Sequence, residues 1–288
     1  MSLLNSLDID SLWDYSQPAH SEAKFQEVLL QISEEDPLFL ELLTQIARAQ
    51  GLQQKFAKAQ HTLDQVEKRL RPYPSHAGIR YALERGRVFN SSGHPDEARP
   101  FFEDAYNKAN FLAEDFYAVD ALHMLAIIAT EQESLDLNLQ AIDVAESSRQ
   151  EKARNWLGSL YNNNGWSYHD IEDYETALEM FKKAEAWQRV HGNAVQLRIA
   201  QWTIGRTLRS LGRIEEALKM QRTIQKTLEG SGASDGFVME EIGECLLTLN
   251  RASESRPYFA KAFKELSQDS WLVKQEPKRL QRLKSLSK

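Results

Sequence analysis

Small and apolar residues return along this chain with a period close to 39 residues. Taking one small residue as a marker gives Ala47, Gly86, Ala126, Gly165, Gly205 and Gly243, at spacings of 39, 40, 39, 40 and 38. Three places after each marker stand Gln50, Phe89, Ala129, Tyr168, Leu208 and Leu246. Twelve places after stand Ala59, Ala98, Asn138, Ala177, Ala217 and Ser255. Sixteen after come Leu63, Phe102, Ile142, Phe181, Gln221 and Phe259, and nineteen after come Val66, Ala105, Ala145, Ala184, Ile224 and Ala262. Small residues recur where two helices must cross closely, and large apolar ones where they fill the neighbouring groove. The pattern predicts about six helix pairs.

Turn chemistry supports the same register. Gly93, Gly212 and Asn250 stand seven places after their markers, and such residues tolerate the left-handed conformation that ends a helix. Glu133 and Glu172 occupy that place in the two middle repeats, so those turns are expected to close differently. Ala98-Arg99-Pro100-Phe101-Phe102 and Ser255-Arg256-Pro257-Tyr258-Phe259 are near copies. Their prolines are expected near the start of the second helix, where a missing N–H matters least.

These residues carry a family resemblance. Tyr161-x3-Gly165-x2-Tyr168-x5-Tyr174-x2-Ala177-x3-Phe181-x2-Ala184 resembles the tetratricopeptide repeat motif almost in full, and Leu211-Gly212-Arg213-x3-Ala217 is similar to its helix-turn-helix core. The resemblance covers roughly residues 37–267 and departs from the family in period, which is about 39 here against the usual 34. Longer repeats of this kind resemble those of kinesin light chains and related adaptor scaffolds. The resemblance implies an all-α, right-handed α-α superhelix with capping helices at both ends.

The chain accordingly divides into an N-terminal extension and capping helix over 1–36, a repeat array over 37–267, and a basic capping helix over 268–288. Ser21-Glu22-x2-Phe25 opens a short apolar helix, and Asp36-Pro37 reads as an N-cap followed by proline at the first helical position. Leu280, Leu283 and Leu286 form one stripe on the last helix. Solenoid ends need such covers, because a terminal repeat leaves one face without a partner. The ends differ in charge. Residues 1–41 hold nine acids against Lys24, and residues 274–288 hold six basic residues against Glu276. That asymmetry suits head-to-tail self-association or docking on an acidic partner, and equally suits two solvated caps.

Composition narrows the function classes. Glycine and proline are few, 13 and 8, which favours helices. A formal net charge of −7 disfavours general nucleic-acid binding. Cys245 is the only cysteine, so no intrachain disulfide forms, and the acidic start of the chain lacks the basic and apolar regions of a signal peptide. No stretch approaches the roughly 18 apolar residues of a membrane span. The reading is a cytoplasmic protein without a membrane segment. The seven histidines show no metal-ligand spacing, and neither a nucleophile elbow nor a P-loop occurs. Cys245 sits among Ile242, Leu246 and Leu247 as a buried, inert thiol. Catalysis, metal and cofactor are not expected.

Binding is expected instead. The resemblance implies that the first helix of each pair lines a groove. Helical geometry then selects the residue after each marker and those three before and four after it. This set contains Thr44 and Arg48; Leu83, Arg87 and Asn90; His123 and Ile127; Asn162, Trp166 and His169; Trp202, Arg206 and Arg209; and Glu240 and Glu244. Arg87, Asn90, His123, Asn162, Trp166, His169, Trp202, Arg206 and Arg209 are the candidate partner-binding residues. Tryptophan and arginine dominate binding hot spots, amides hold a peptide backbone, and arginine forks hold carboxylates. The alternative for the tryptophans is packing between helices, and for the arginines pairing with neighbouring glutamates. The peptide-carboxylate clamp of chaperone-binding relatives does not carry over, because Leu83, Arg87, His123 and Met124 stand at its positions. The expected function is a scaffold that binds an acidic and apolar peptide segment or partner protein. A peptide-responsive regulator and a self-associating assembly factor are the alternatives.

Overall fold

Each marker residue sits on the first helix of a pair and faces a residue sixteen places on, in the second helix. The computed structural model describes residues 8–288, so the first seven residues of the extension 1–36 lie outside the described residues. The described chain divides into two units, meeting in sequence at Trp156 and Leu157. The first holds a short 3-10 turn (Ile9–Leu12), then α1 (Pro18–Leu29), α2 (Pro37–Leu52), α3 (Phe56–Glu67), α4 (His76–Ser91), α5 (Pro95–Leu112), α6 (Asp115–Ile128), α7 (Glu131–Ser147) and the single-turn α8 (Glu151–Arg154). The second holds α9 (Leu157–Asp170), α10 (Tyr174–His191), α11 (Ala194–Ser210), α12 (Ile214–Gly230), α13 (Gly236–Thr248), α14 (Ala252–Leu266), α15 (Ser270–Gln275) and α16 (Pro277–Leu286). The pairs α2–α3, α4–α5 and α6–α7 pack in one unit, and α9–α10, α11–α12 and α13–α14 in the other. Successive first helices also touch, α2 with α4, α4 with α6 and α11 with α13. The all-α repeat class expected from the sequence is what the chain adopts.

The crossings explain the register. A Cβ built on Gly86 would lie 2.5 Å from the Phe102 ring, one on Gly165 2.6 Å from Phe181, and one on Gly243 2.8 Å from Phe259. Carbon atoms need about 3.5 Å, so the phenylalanine occupies the volume that a side chain on the first helix would take. Where the chain places Ala47 or Ala126, the residue sixteen on is the smaller Leu63 or Ile142. Phe102, Phe181 and Phe259 are fully buried. The fifth repeat departs: Gln221 takes the phenylalanine position, fully buried, and its amide donates to the Trp202 carbonyl at 3.2 Å.

The turns are more uniform than their residues suggest. Gln54, Gly93, Glu172, Gly212 and Asn250 all adopt positive φ, between 58° and 89°. At each, the next residue's N–H reaches back to a carbonyl in the last helical turn, as in His94 to Phe89 at 2.9 Å and Asp173 to Tyr168 at 3.0 Å. This is the Schellman arrangement. The expectation that Glu172 would close its turn differently is therefore corrected, because two backbone hydrogen bonds outweigh the cost of a left-handed side-chain-bearing residue. Glu133 does differ: α6 stops at Ile128 and Glu133 lies inside α7. The prolines are corrected as well. Pro100 and Pro257 lie in the second turns of α5 and α14, not at their starts. The carbonyls they leave without a helical partner belong to the exposed residues Asp96 and Ser253, which water can satisfy.

The ends are closed by helices. Asp36 caps α2 through the Leu38 N–H at 2.9 Å, with Pro37 in the first turn. Phe25 of α1 is fully buried in the core of the first unit. At the other end Leu280 and Leu283 of α16 are buried beside Phe259 and Leu266, with Leu286 packed against them.

Two outcomes test this account. Gly165→Ala is expected to cost about 1–3 kcal/mol by overpacking. Combining it with Phe181→Leu should recover at least about 1 kcal/mol relative to the sum of the single changes, read from urea unfolding. Glu172→Gly is expected to stabilise the chain by about 1 kcal/mol, because glycine adopts the left-handed conformation without the side-chain penalty.

Candidate functional site

The first helices of the second unit bring five of the candidate residues together. Trp166 on α9 and Trp202 on α11 stand one repeat apart with ring centroids 6.2 Å apart. The Trp166 ring meets Phe181 edge-on at 5.2 Å, and Trp202 donates its indole N–H to the Phe237 carbonyl at 3.2 Å. Both rings thus rest on the core and stay half-exposed at one edge. They open on a hollow of about 480 Å³, rimmed by Arg206, Arg209, Glu240, Glu241, Glu244, Glu276, Arg279 and Arg282. His169 packs against Trp166 at 5.2 Å and Tyr174 at 4.9 Å, and its Nε2 lies 3.0 Å from the Ser210 hydroxyl. That hydroxyl accepts from Arg206 at 2.8 Å and lies 3.4 Å from the Arg206 carbonyl, to which it can donate.

Charge on the rim is already arranged in pairs. Arg209 engages both oxygens of Glu241 at 2.7 and 2.9 Å, while Arg206 reaches the same carboxylate at 3.3 Å. Arg279 engages Glu240 at 2.6–3.1 Å and Glu276 at 3.0 Å. Arg282 reaches both oxygens of Glu244, one of them at 3.0 Å. The four arginines and four glutamates balance, so the rim has sharp local polarity and no net charge. Arg206 is the most loosely held of the four.

The candidates of the first unit behave differently. Arg87 is bound by Asp120 at 2.5 and 2.6 Å and by Glu84 at 2.6 Å. Burial works against the Asp120 carboxylate, but Arg87 and Arg48 more than offset it and hold its pKa below the usual value. Arg48 reaches Glu84 at 3.1 Å, completing a chain of alternating charge across α2, α4 and α6. Arg87 therefore joins repeats, and lines a hollow of about 540 Å³ with Arg48, Leu52, Phe56, Val88 and Met124. His123 is largely buried against Trp156 at 5.3 Å, and Asn90 is half-buried. Asn162, on α9 of the second unit, is half-buried with its side-chain carbonyl lacking a hydrogen-bond partner. Thr44 and Leu83, selected from the sequence as groove positions, are fully buried in the core.

Sequence reasoning missed Glu84, Glu241, Arg279 and Arg282. The signal for the first two was available, since each lies three residues before a selected position, Arg87 or Glu244, on the same helical face. Arg279 and Arg282 required knowing that α16 packs beside α13's end of the unit. The same pairs satisfy much of the charge that suggested self-association. Arg279 and Arg282 are held by Glu240 and Glu244, and Glu22 by Lys58 at 2.7 Å with Gln50 and Gln53. Cys245 is fully buried, and burial together with Glu241 pushes its thiol up to about 12, which keeps it unreactive. Among the described residues no cluster of His, Cys, Asp and Glu is placed to hold a metal, and no helix is long and apolar enough to cross a membrane.

Residues 157–229 match the tetratricopeptide repeat family model. That stretch of the second unit is a tetratricopeptide repeat segment, and the helix pairs of the rest of the described chain share its fold. A search of curated protein sequences finds no match. Among solved structures, the apo form of RapI is similar at 13% identity and a TM-score of 0.74, over 91% of this chain and 74% of that one. The nearly identical TPR-like repeats from Podosopora anserina, described as kinesin light chain, give 16% identity and a TM-score of 0.56 over 69% of this chain and all of that one. NprR in complex with its cognate peptide NprX gives 14% identity and 0.52, over 96% of this chain and 81% of that one. At such identities the likeness is one of fold.

Two half-buried histidines set a pH response. Burial lowers the pKa of His123, and burial followed by Arg206 lowers that of His169, both below the usual 6.5. The unfolded chain therefore takes up these protons first as pH falls. The stability the neutral rings contribute is full above about pH 6.5 and is lost as pH drops through their folded-state values. Urea midpoints measured from pH 7.5 to 5 should fall, and His123→Gln with His169→Gln should flatten that part of the profile.

Proposed function

We propose that this chain is a cytoplasmic protein-interaction scaffold whose second unit binds an extended peptide segment at Trp166, Trp202, Arg206 and Arg209, and that it works by binding and not by catalysis. The observation that carries the reading is the pair of indoles 6.2 Å apart, opening on a hollow rimmed by balanced arginine–glutamate pairs. Indole faces held rigidly by the core accept an apolar side chain with little loss of freedom. The rim offers donors and acceptors in alternation, which suits a peptide backbone and its polar side chains. Arg206 is the arginine best placed to exchange its loose contact with Glu241 for a ligand carboxylate, so the favoured segment carries an apolar residue followed by an acid. Asn162 and His169 extend the surface on the α9 side. The fold it shares with NprR, a protein solved with its cognate peptide, supports a peptide as the ligand class.

The test is a peptide selection on the folded chain, followed by titration of selected peptides against wild type and Trp166→Ala/Arg206→Ala. Loss of two hot-spot side chains should weaken binding by roughly 30-fold or more, at about 2 kcal/mol or more, with the helical circular dichroism spectrum retained although loss of the Trp166–Phe181 contact lowers the melting temperature. Equal affinity for both proteins would remove the basis for the reading.

A further inference from the structure

The extension ahead of α1, expected to belong to the N-terminal cap, does more than cover an end. It runs across the first-helix face of the first unit. Asp10 reaches Arg80 of α4 at 3.1 Å and Lys152 of α8 at 2.9 Å. Trp13 donates its indole N–H to Gln45 of α2 at 2.9 Å and stacks on Tyr15 at 4.7 Å, with the Arg48 guanidinium over both rings. Ile9 is buried in the core of the unit. A stretch of eight residues, Asp8 to Tyr15, which includes the 3-10 turn, therefore touches the first helices of two repeats and the single-turn α8, as a bound peptide would.

We propose that Asp8–Tyr15 is a tethered ligand of this face, and that the face, once released, takes an acidic peptide with an indole. The recognition pattern is the segment's own: carboxylates at its first and third positions and an aromatic ring at its sixth. The helices supply matching chemistry, with Lys152 and Arg80 for the carboxylates, and Gln45 and Arg48 for the ring. The segment is held weakly enough to leave. Asp8, Ser11 and Tyr15 are exposed, and the pairs that Lys152 makes with Asp8 and Asp10 lie at the surface, where ion pairs stabilise little, so the hold rests on Ile9, Trp13 and the Asp10–Arg80 pair. A hollow of about 510 Å³ beside Ile9, Asp10, Glu41, Arg80 and Tyr117 shows that it fills the face incompletely. Arg80 keeps Glu41 at 3.1 Å when Asp10 departs, so release strands no buried charge. The tether through Gln17 to α1 gives the segment an effective concentration on the order of millimolar. A free peptide of the same pattern therefore competes poorly until the segment is removed.

The test uses the full chain and a fluorescent synthetic peptide with the sequence of residues 8–16. It should bind Asp10→Ala/Trp13→Ala at least about tenfold more tightly than wild type. That binding should disappear when Gln45→Ala and Lys152→Ala are added, and a peptide carrying the two alanines should bind neither protein. Hydrogen exchange on the wild type should show amides 9–16 opening well before those of α1 and α2. Equal binding to wild type and variant, binding that survives the Gln45 and Lys152 changes, exchange of 9–16 only with global unfolding, or collapse of the fold in the Asp10/Trp13 variant would each overturn the proposal. Trp166→Ala/Arg206→Ala should leave this competition unchanged, so its failure and that of the peptide site in the second unit are separable.

Discussion

The structure depends on one steric constraint: within each pair the first helix must come close to the second at a small residue, and in three of the six pairs the approach is close enough for a phenylalanine ring to lie against its backbone. Gly86, Gly165 and Gly243 admit Phe102, Phe181 and Phe259 at distances that no Cβ would allow. Close approach buries the ring completely and removes the gap that would otherwise cost dispersion contacts on both sides. The same approach fixes the rotation of the first helix, and so decides which of its residues point away from the second helix. Trp166 and Arg206 face outward because Gly165 and Gly205, their immediate predecessors, face inward.

The outward faces are joined by charge. Arg48, Glu84, Arg87 and Asp120 link three successive first helices in the first unit, and Arg206, Arg209 and Glu241 link two in the second. Such pairs contribute modestly as stabilisers, since partial burial charges a desolvation cost against the Coulombic gain. Their consequence is geometric. Each fixes a long side chain across a helix boundary, so each face presents a set pattern of donors and acceptors. A ligand meets preorganised polar groups beside rigid rings, and little ordering is required on binding.

The two faces differ in what lies on them. In the second unit the indoles open on a hollow with a neutral, alternating rim. In the first, the chain's own acidic and aromatic segment lies over Gln45, Arg48 and Arg80. One repeat architecture thus carries two chemically distinct surfaces, because the residue after each marker is free to vary while the marker and its partner sixteen places on are not.

By itself the sequence determined the class of fold, the six pairs, their 39-residue register and most of the turn positions. These follow from local rules: small residues where backbones meet, and glycine or asparagine where φ is positive. It also put Trp166, Trp202, Arg206 and Arg209 on one helix face as candidates, because residues one after, three before and four after an inward-facing small residue share the other flank, and the structure gathers these four around one hollow. What it did not reveal is set by contacts between residues far apart in the chain. Leu83 and Thr44 are buried because adjacent first helices also pack on one another, a contact that a single-helix projection omits. Glu172 takes the left-handed conformation because two backbone hydrogen bonds outweigh its own preference. The pairing of Arg209 with Glu241, of Arg279 with Glu240, and of Asp10 with Arg80 joins residues 32, 39 and 70 places apart. Charge reaches across space without leaving a period in the sequence, so only the tertiary structure decided which arginines are held and which surface is covered.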